Sequence, residues 1–219
     1  LVRKGNPKNI KDWGDLVQPG VQIVAPNPKT SGGARWNVLA AWAWAQKTYG
    51  NDKDSLAYLQ KFFANVPVLD SGAHGSTLTF TQRNIGDVLV GWESDAFQSI
   101  KQAGSGAYEI VVPSISILAE PPVAVVDKNV DKHGTRALAT AYLEYLYSPE
   151  AQEVIAQNFF RPRDANVAAK YASQFSKVSL VTVADFGGWA KAQPEFFGNG
   201  GYLDQAYGQS GASFFGLSN

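Results

Sequence analysis

Thr30, Ser31, Gly32 and Gly33 are the residues whose types and spacing point most directly to chemistry. They follow an apolar run, Val21 to Ala25, that Pro26, Asn27 and Pro28 bring to a stop. They precede a helix-like stretch from about Ala34 to Tyr49. A strand, a glycine turn and a helix start together make an anion site. The first N–H groups of a helix lack intrahelical partners, and the helix dipole places partial positive charge there. Gly32 and Gly33 carry no Cβ, so backbone can come close to a ligand. Ser31 can cap the helix or donate its hydroxyl to a ligand, and the ordinary N-cap with a plain turn stands as the alternative. No Gly-Lys-Ser/Thr follows and no GxGxxG spacing is present, so a nucleotide is not the favoured anion.

The same logic recurs twice downstream. Val66 to Leu69 reads as a strand, followed by the small residues of Asp70-Ser71-Gly72-Ala73-His74-Gly75-Ser76-Thr77. Ser76 or Thr77 is expected to cap a short helix from Thr77 to Asn84. Asp87 to Gly91 reads as a strand ending at Trp92, with a helix from Ser94 to Ala103. Alternating strands and helices predict a parallel α/β sheet, in which ligands lie beyond the carboxyl ends of the strands. Ser31, Ala73 and Trp92 all fall at such ends.

The elements that must position these residues are legible along the chain. Further strands are expected at Leu1–Lys4, Tyr108–Val112, Val123–Val126 and Lys177–Val183. Helices are expected at Asp52–Asn65, at Thr135–Tyr147, from Ser148-Pro149 to about Phe160, and at Phe186–Phe197 with a kink or an end near Pro194. The stretch from Ala34 to Tyr49 is apolar on nearly every face, which predicts a buried helix whose tryptophans are core. Arg161-Pro162-Arg163-Asp164 reads as a surface ion-pair turn.

Composition narrows the function classes. The chain has 219 residues, 45% hydrophobic and 17% charged, with 19 basic against 19 acidic side chains. A balanced charge argues against nucleic acid but not against a small anion held by backbone N–H groups. There is no cysteine and there are two histidines, His74 and His133, which excludes thiolate chemistry and a multi-histidine metal site. No metal or cofactor is expected. No apolar run of spanning length occurs. LVRKGNPKN lacks the apolar core of a signal peptide, and Leu1 is not an initiator methionine, so a processed, truncated or engineered chain is expected.

Six stretches in order, NPKTSGGARWNVLAAWA, LDSGAHGST, IGDVLVGWES, ILAEPPVAVVDK, YLYSPEAQEVIAQNFFRPRDANVA and FGGWAKAQ, resemble the periplasmic sulfate-binding proteins of ABC importers. The resemblance runs from Leu1 to about Gln205. It implies an α/β periplasmic-binding-protein type II fold, with two lobes, a hinge near Val112 to Ser116 and an incomplete first lobe. Residues 1–112 would form the second, anion-binding lobe, 113–205 the C-terminal part of the first lobe, and 206–219 a loose, unassigned tail. The N-terminal third of the family pattern, with its further sulfate contacts, has no counterpart.

The resemblance places the family's sulfate ligands on Ser31, Gly32, Gly33, Ala73 and Trp92. The implied roles are a hydroxyl from Ser31, backbone N–H groups from Gly32, Gly33 and Ala73, and the indole N–H of Trp92, which can only donate. Donors alone suit an acceptor-only ion, because the proton of hydrogen phosphate would go unpaired. His74 stands where an arginine is common, and a neutral imidazole could relax that exclusion. Arg35 is expected to point from the first helical turn, with tuning of the local potential as the lesser of its two readings. The implied function is sulfate binding in the periplasm and delivery to an ABC permease by a non-enzymatic protein, monomeric if complete. A truncated or engineered lobe with weak or no binding, needing a complementary N-terminal segment, is the second reading. A hydrolase using Asp70, His74 and Ser76 is the third, although no GxSxG elbow is present.

Overall fold

The computed structural model describes residues 1–104 and 106–208. By contacts the chain divides into a larger unit, Leu1–Ala119 with the chain from Val178 onward, and a smaller one, Glu120–Lys177. The expected boundary at 112/113 concerns lobes of a longer protein. The contact division of this chain falls after Ala119 and after Lys177.

The larger unit holds a five-stranded sheet in the order β3-β2-β4-β1-β5. β2 (Ile23–Pro26) lies parallel to β3 (Val68–Asp70) on one side and to β4 (Val88–Leu89) on the other. β1 (Val2–Arg3) runs antiparallel to β4 and to β5 (Tyr108–Glu109). The sheet is therefore mixed, not parallel as alternation alone predicts. The direction of β1 is set by its pairing between β4 and β5, which residue alternation does not encode. β5 stops at Glu109, short of the predicted Val112.

α1 (Gly32–Tyr49) is buried along most of its length, with Trp36 and Trp42 in the core. Trp36 meets Trp189 edge-on at 4.8 Å between ring centroids, and Trp42 packs on Phe196 and Tyr202 at 5.2 and 4.3 Å. These are core contacts, as the all-round apolar pattern predicts. α1 ends at Gly50, whose φ of +74° is the left-handed turn that closes a helix. α2 (Asp52–Ala64) starts on an Asn51 cap and buries Leu59, Phe62 and Phe63.

A two-stranded parallel pair, β6 (Ile115–Ile117) with β7 (Ser179–Val181), also belongs to this unit. The predicted helix from Phe186 to Phe197 is broken. A short 3-10 turn ends at Gly187, α9 spans Trp189–Ala192, and a wide turn containing Pro194 follows. The expectation of a loose tail from Ala206 is corrected for its first residues. α10 (Tyr202–Gly208) buries Ala206 and Tyr207, and Tyr207 packs on Phe63. Residues 209–219 lie outside the described residues.

The smaller unit contains α5 (Asp127–His133), α6 (Arg136–Tyr145), α7 (Pro149–Gln157) and α8 (Ala165–Lys170). The strand predicted at Val123–Val126 is absent. Val126 leads into α5, and Val123 and Val126 are both exposed. The Arg161–Asp164 turn is engaged in structure. Arg163 pairs with Glu120, Asp164 caps α8, and Arg161 donates to the Ser176 carbonyl. Among the described residues no helix is long and apolar enough to cross a membrane.

Candidate functional site

β2, β3 and β4 are parallel neighbours, so their carboxyl ends lie at one edge of the sheet. Each passes within a few residues into a helix: α1 after β2, α3 (Ala73–Thr81) after β3, and α4 (Glu93–Ala103) after β4. Three helix N-termini therefore open at the same edge. That edge gathers more partial positive charge and more unpaired donors than one terminus would.

The three turns are tied together. Asn27 N–H donates to the Asp70 carbonyl at 2.8 Å, and Thr30 Oγ1 to the Ser71 carbonyl at 2.9 Å. Asn37 Nδ2 donates to the Val90 carbonyl at 3.3 Å. The closest approach is between Gly33 and Trp92. A methyl group on Gly33 would lie 2.9 Å from Trp92 Cζ2 and 3.1 Å from its Nε1. The indole is thus packed flush against the first turn of α1, and only glycine leaves it room.

The five predicted residues come together in part. Ser31 caps α1, accepting from Ala34 N–H at 3.3 Å, and is buried. A hydroxyl that accepts there keeps its own proton to donate. Gly32 and Gly33 are the first two residues of α1, Ala73 is the first of α3, and Trp92 caps α4. The N–H groups of Gly32, Gly33 and Ala73 and the indole N–H of Trp92 donate to nothing within the described protein. By contrast, the Trp13 indole is spent on the Ile115 carbonyl at 2.8 Å. No distance links Ala73 directly to the Gly33–Trp92 pair. Its place rests on the shared sheet edge and the Thr30–Ser71 bond.

Two expectations about this region are corrected. Neither Ser76 nor Thr77 caps a helix. α3 begins four residues earlier, on Gly72, without any side-chain cap, and Ser76 lies inside it. Arg35 is committed to contacts within the protein. Its guanidinium donates to the Pro28 carbonyl at 3.1 Å and to Gln193 Oε1 at 3.0 Å, and sits over the Phe197 ring. The other nearby cation, Lys29, pairs with Asp204 at 2.6 Å. The lysine and arginine flanking the turn are held by Asp204, Gln193 and the Phe197 ring, and the uncommitted N–H donors at the turn are neutral.

The hydrolase arrangement does not form. Ser76 is 1% exposed, and its Oγ has no hydrogen-bond partner. His74 is exposed and two positions away on the same helix, where side chains do not face each other. Asp70 accepts from Thr79 Oγ1 at 3.0 Å through one oxygen, and its other oxygen is buried without a partner. His74 does act electrostatically on Asp95 of α4. Burial raises the Asp95 carboxyl above its usual range, and the nearby imidazole offsets only part of that rise. Sequence reasoning did not find this proximity, because it joins two helix starts that only the sheet brings side by side. Among the described residues, no group of three or more His, Asp or Glu is placed to hold a metal.

A family model described as "bacterial extracellular solute-binding protein" matches residues 1–161. A protein from Salmonella typhimurium named as sulfate-binding is 58% identical over 94% of this chain and 63% of its own length. One from Pseudomonas aeruginosa, named as thiosulfate-binding, is 49% identical over 94% of this chain and 63% of its own. Among solved structures, a sulfate-binding protein from Mycobacterium tuberculosis superposes with a TM-score of 0.74 at 32% identity. That match covers 90% of this chain and 67% of that one. The chain thus spans about 63% of the length of the first two relatives.

Proposed function

The chain belongs to the bacterial extracellular solute-binding proteins, and from that premise we propose that it binds sulfate for import through an ABC permease in the periplasm. The carrying observation is the sheet edge where three helix N-termini meet and four N–H donors remain uncommitted. Ser31, Gly32, Gly33, Ala73 and Trp92 are the proposed ligands. The names of the relatives support sulfate as the ion. The engagement of Lys29 and Arg35 elsewhere supports recognition by hydrogen bonds rather than by formal charge. No enzymatic role is part of this reading. A complementary N-terminal segment and a monomeric complete receptor are part of it.

Discrimination follows from the donor set. A fully deprotonated dianion accepts at every oxygen. Hydrogen phosphate brings a proton that needs an acceptor, and leaving it unpaired costs about 1–3 kcal/mol, roughly tenfold to a hundredfold in affinity. Isothermal titration of the 219-residue chain in chloride buffer at neutral pH tests the reading. Saturable one-to-one binding of sulfate, with phosphate at least tenfold weaker, is expected. A folded chain that gives no heat with sulfate contradicts it. Thiosulfate belongs in the same series, because a relative at 49% identity bears that name.

Trp92→Phe removes the indole N–H together with the part of the ring, Cζ2 and Cε2, that faces Gly33. One hydrogen bond to a charged group is worth about 1.5–3 kcal/mol, so a loss of about tenfold to a hundredfold in sulfate affinity is expected in the same titration, with the melting temperature little changed.

A further inference from the structure

The turn between β2 and α1 is held from two sides. On one side Asn27 and Thr30 tie it to the turn after β3. On the other it meets the C-terminal segment. Lys29 Nζ lies 2.6 Å from Asp204 Oδ1 and 3.5 Å from the Phe197 carbonyl. Lys29 sits inside a closed turn. Its own N–H donates to Asn27 Oδ1 at 2.8 Å, and the N–H groups of Thr30 and Ser31 donate to the Asn27 carbonyl at 3.1 and 2.9 Å. A shift of Lys29 is therefore passed directly to Ser31 and the start of α1. Arg35 braces the same turn, since its guanidinium joins the Pro28 carbonyl to Gln193.

Asp204 is built as a fixed post. Its second oxygen accepts from Gly200 N–H at 2.9 Å. Gly200 has a φ of +75°, and a methyl group on Gly201 would lie 2.7 Å from the Glu195 carbonyl oxygen, so this turn needs glycine at both positions. Behind it α10 buries Leu203, Ala206 and Tyr207. Tyr202 donates to Asp52 Oδ2 at 2.8 Å and packs on Trp42. Lys29 and the Gly200 N–H hold the Asp204 carboxyl below its usual range, so the pair is ionised at neutral pH. By charge alone, a carboxylate paired two residues from a proposed anion ligand opposes the anion. A mechanical role accounts for it.

We propose that Asp204 is a positioning residue for the anion cradle: through Lys29 it fixes the Asn27–Ser31 turn, and with it the Ser31 hydroxyl and the first N–H groups of α1, in the geometry that takes sulfate. The inference rests on the sulfate reading above and adds how its donors are held.

Asp204→Ala, Lys29→Gln and the double variant of the 219-residue chain test it, by sulfate calorimetry and by amide hydrogen exchange without sulfate. Each single variant should weaken sulfate binding about fivefold, the most that a partly exposed pair contributes. The sign for Asp204→Ala discriminates. If the two side chains acted on the anion by charge, losing the carboxylate would tighten binding and losing the lysine would weaken it. A clamp predicts the same loss from both and no further loss in the double variant, because each change removes one shared link. Lys29→Arg, which keeps the pair, should bind within about twofold of the parent. Without sulfate, the Thr30 and Ser31 amides should exchange faster in the two single variants and the double variant. The amides of α2, which packs on α10 through Phe63 and Tyr207, should not change, showing that α10 stays folded. The proposal is overturned if Asp204→Ala binds sulfate as tightly as the parent or tighter, if the single losses add, if Lys29→Arg binds no better than Lys29→Gln, or if Thr30 and Ser31 exchange as in the parent. A parent chain that gives no heat with sulfate contradicts the ligand reading, and the exchange rates then decide the clamp by themselves.

Discussion

A Gly33→Ala protein is expected to lose at least a hundredfold in sulfate affinity while keeping its fold. The new Cβ would lie 2.9 Å from Trp92 Cζ2, closer than real Cβ contacts allow, and 3.1 Å from Nε1 and Cε2, tighter than most of them. These ring atoms are not the tip of a flexible chain, so either the indole leaves its seat or the first turn of α1 shifts. Both outcomes misplace proposed donors, the indole N–H and the backbone N–H of Gly33. Two hydrogen bonds to a charged ligand at about 1.5–3 kcal/mol each put the loss at about 3 kcal/mol or more. The position is the second residue of a helix, where alanine is intrinsically better than glycine by up to about 1 kcal/mol. A thermal melt should therefore stay within a few degrees of the parent. Titration calorimetry that finds affinity within threefold would show that the Gly33–Trp92 contact is only packing.

The second effect concerns pH. Carboxylates that gain donors in the fold are held in their charged form, so urea melts should show the protein less stable in acid than at neutral pH, and melts that superpose across that range would contradict this. The carboxylates held below their usual range, Asp185 by Thr182 and Asp204 by Lys29, lose their contribution at lower pH, as pH falls through their folded pKa values.

The proposed site was legible in the sequence because its signal is local. A strand end, a turn of small residues and a helix start occupy consecutive positions, three times over, and the pairing of β2 with β3 and β4 brings them to one edge. What failed was also physical. The start of α3 was misread because its cap is Gly72, which offers no side chain, while Ser76 advertised a cap from inside the helix. The direction of β1 was not legible, because nothing in Val2–Arg3 distinguishes the two senses of a strand. Val123–Val126 has strand-like residues, yet that segment pairs with no described strand. Arg35 was assigned by proximity in sequence, but Gln193 and the Phe197 ring, more than 150 positions away, hold it. Tyr207 reads as tail until Phe63 is placed beside it.

The most direct measurement is a two-dimensional 1H–15N spectrum of the labelled chain, titrated with sulfate. The chain has six tryptophans, so the indole region is a small, assignable set. The backbone amides of Gly32, Gly33 and Ala73 and the indole of Trp92 should move together along one saturation curve, with the Trp13 indole, bonded to Ile115, staying in place. Saturable shifts that bypass these four donors would contradict the account.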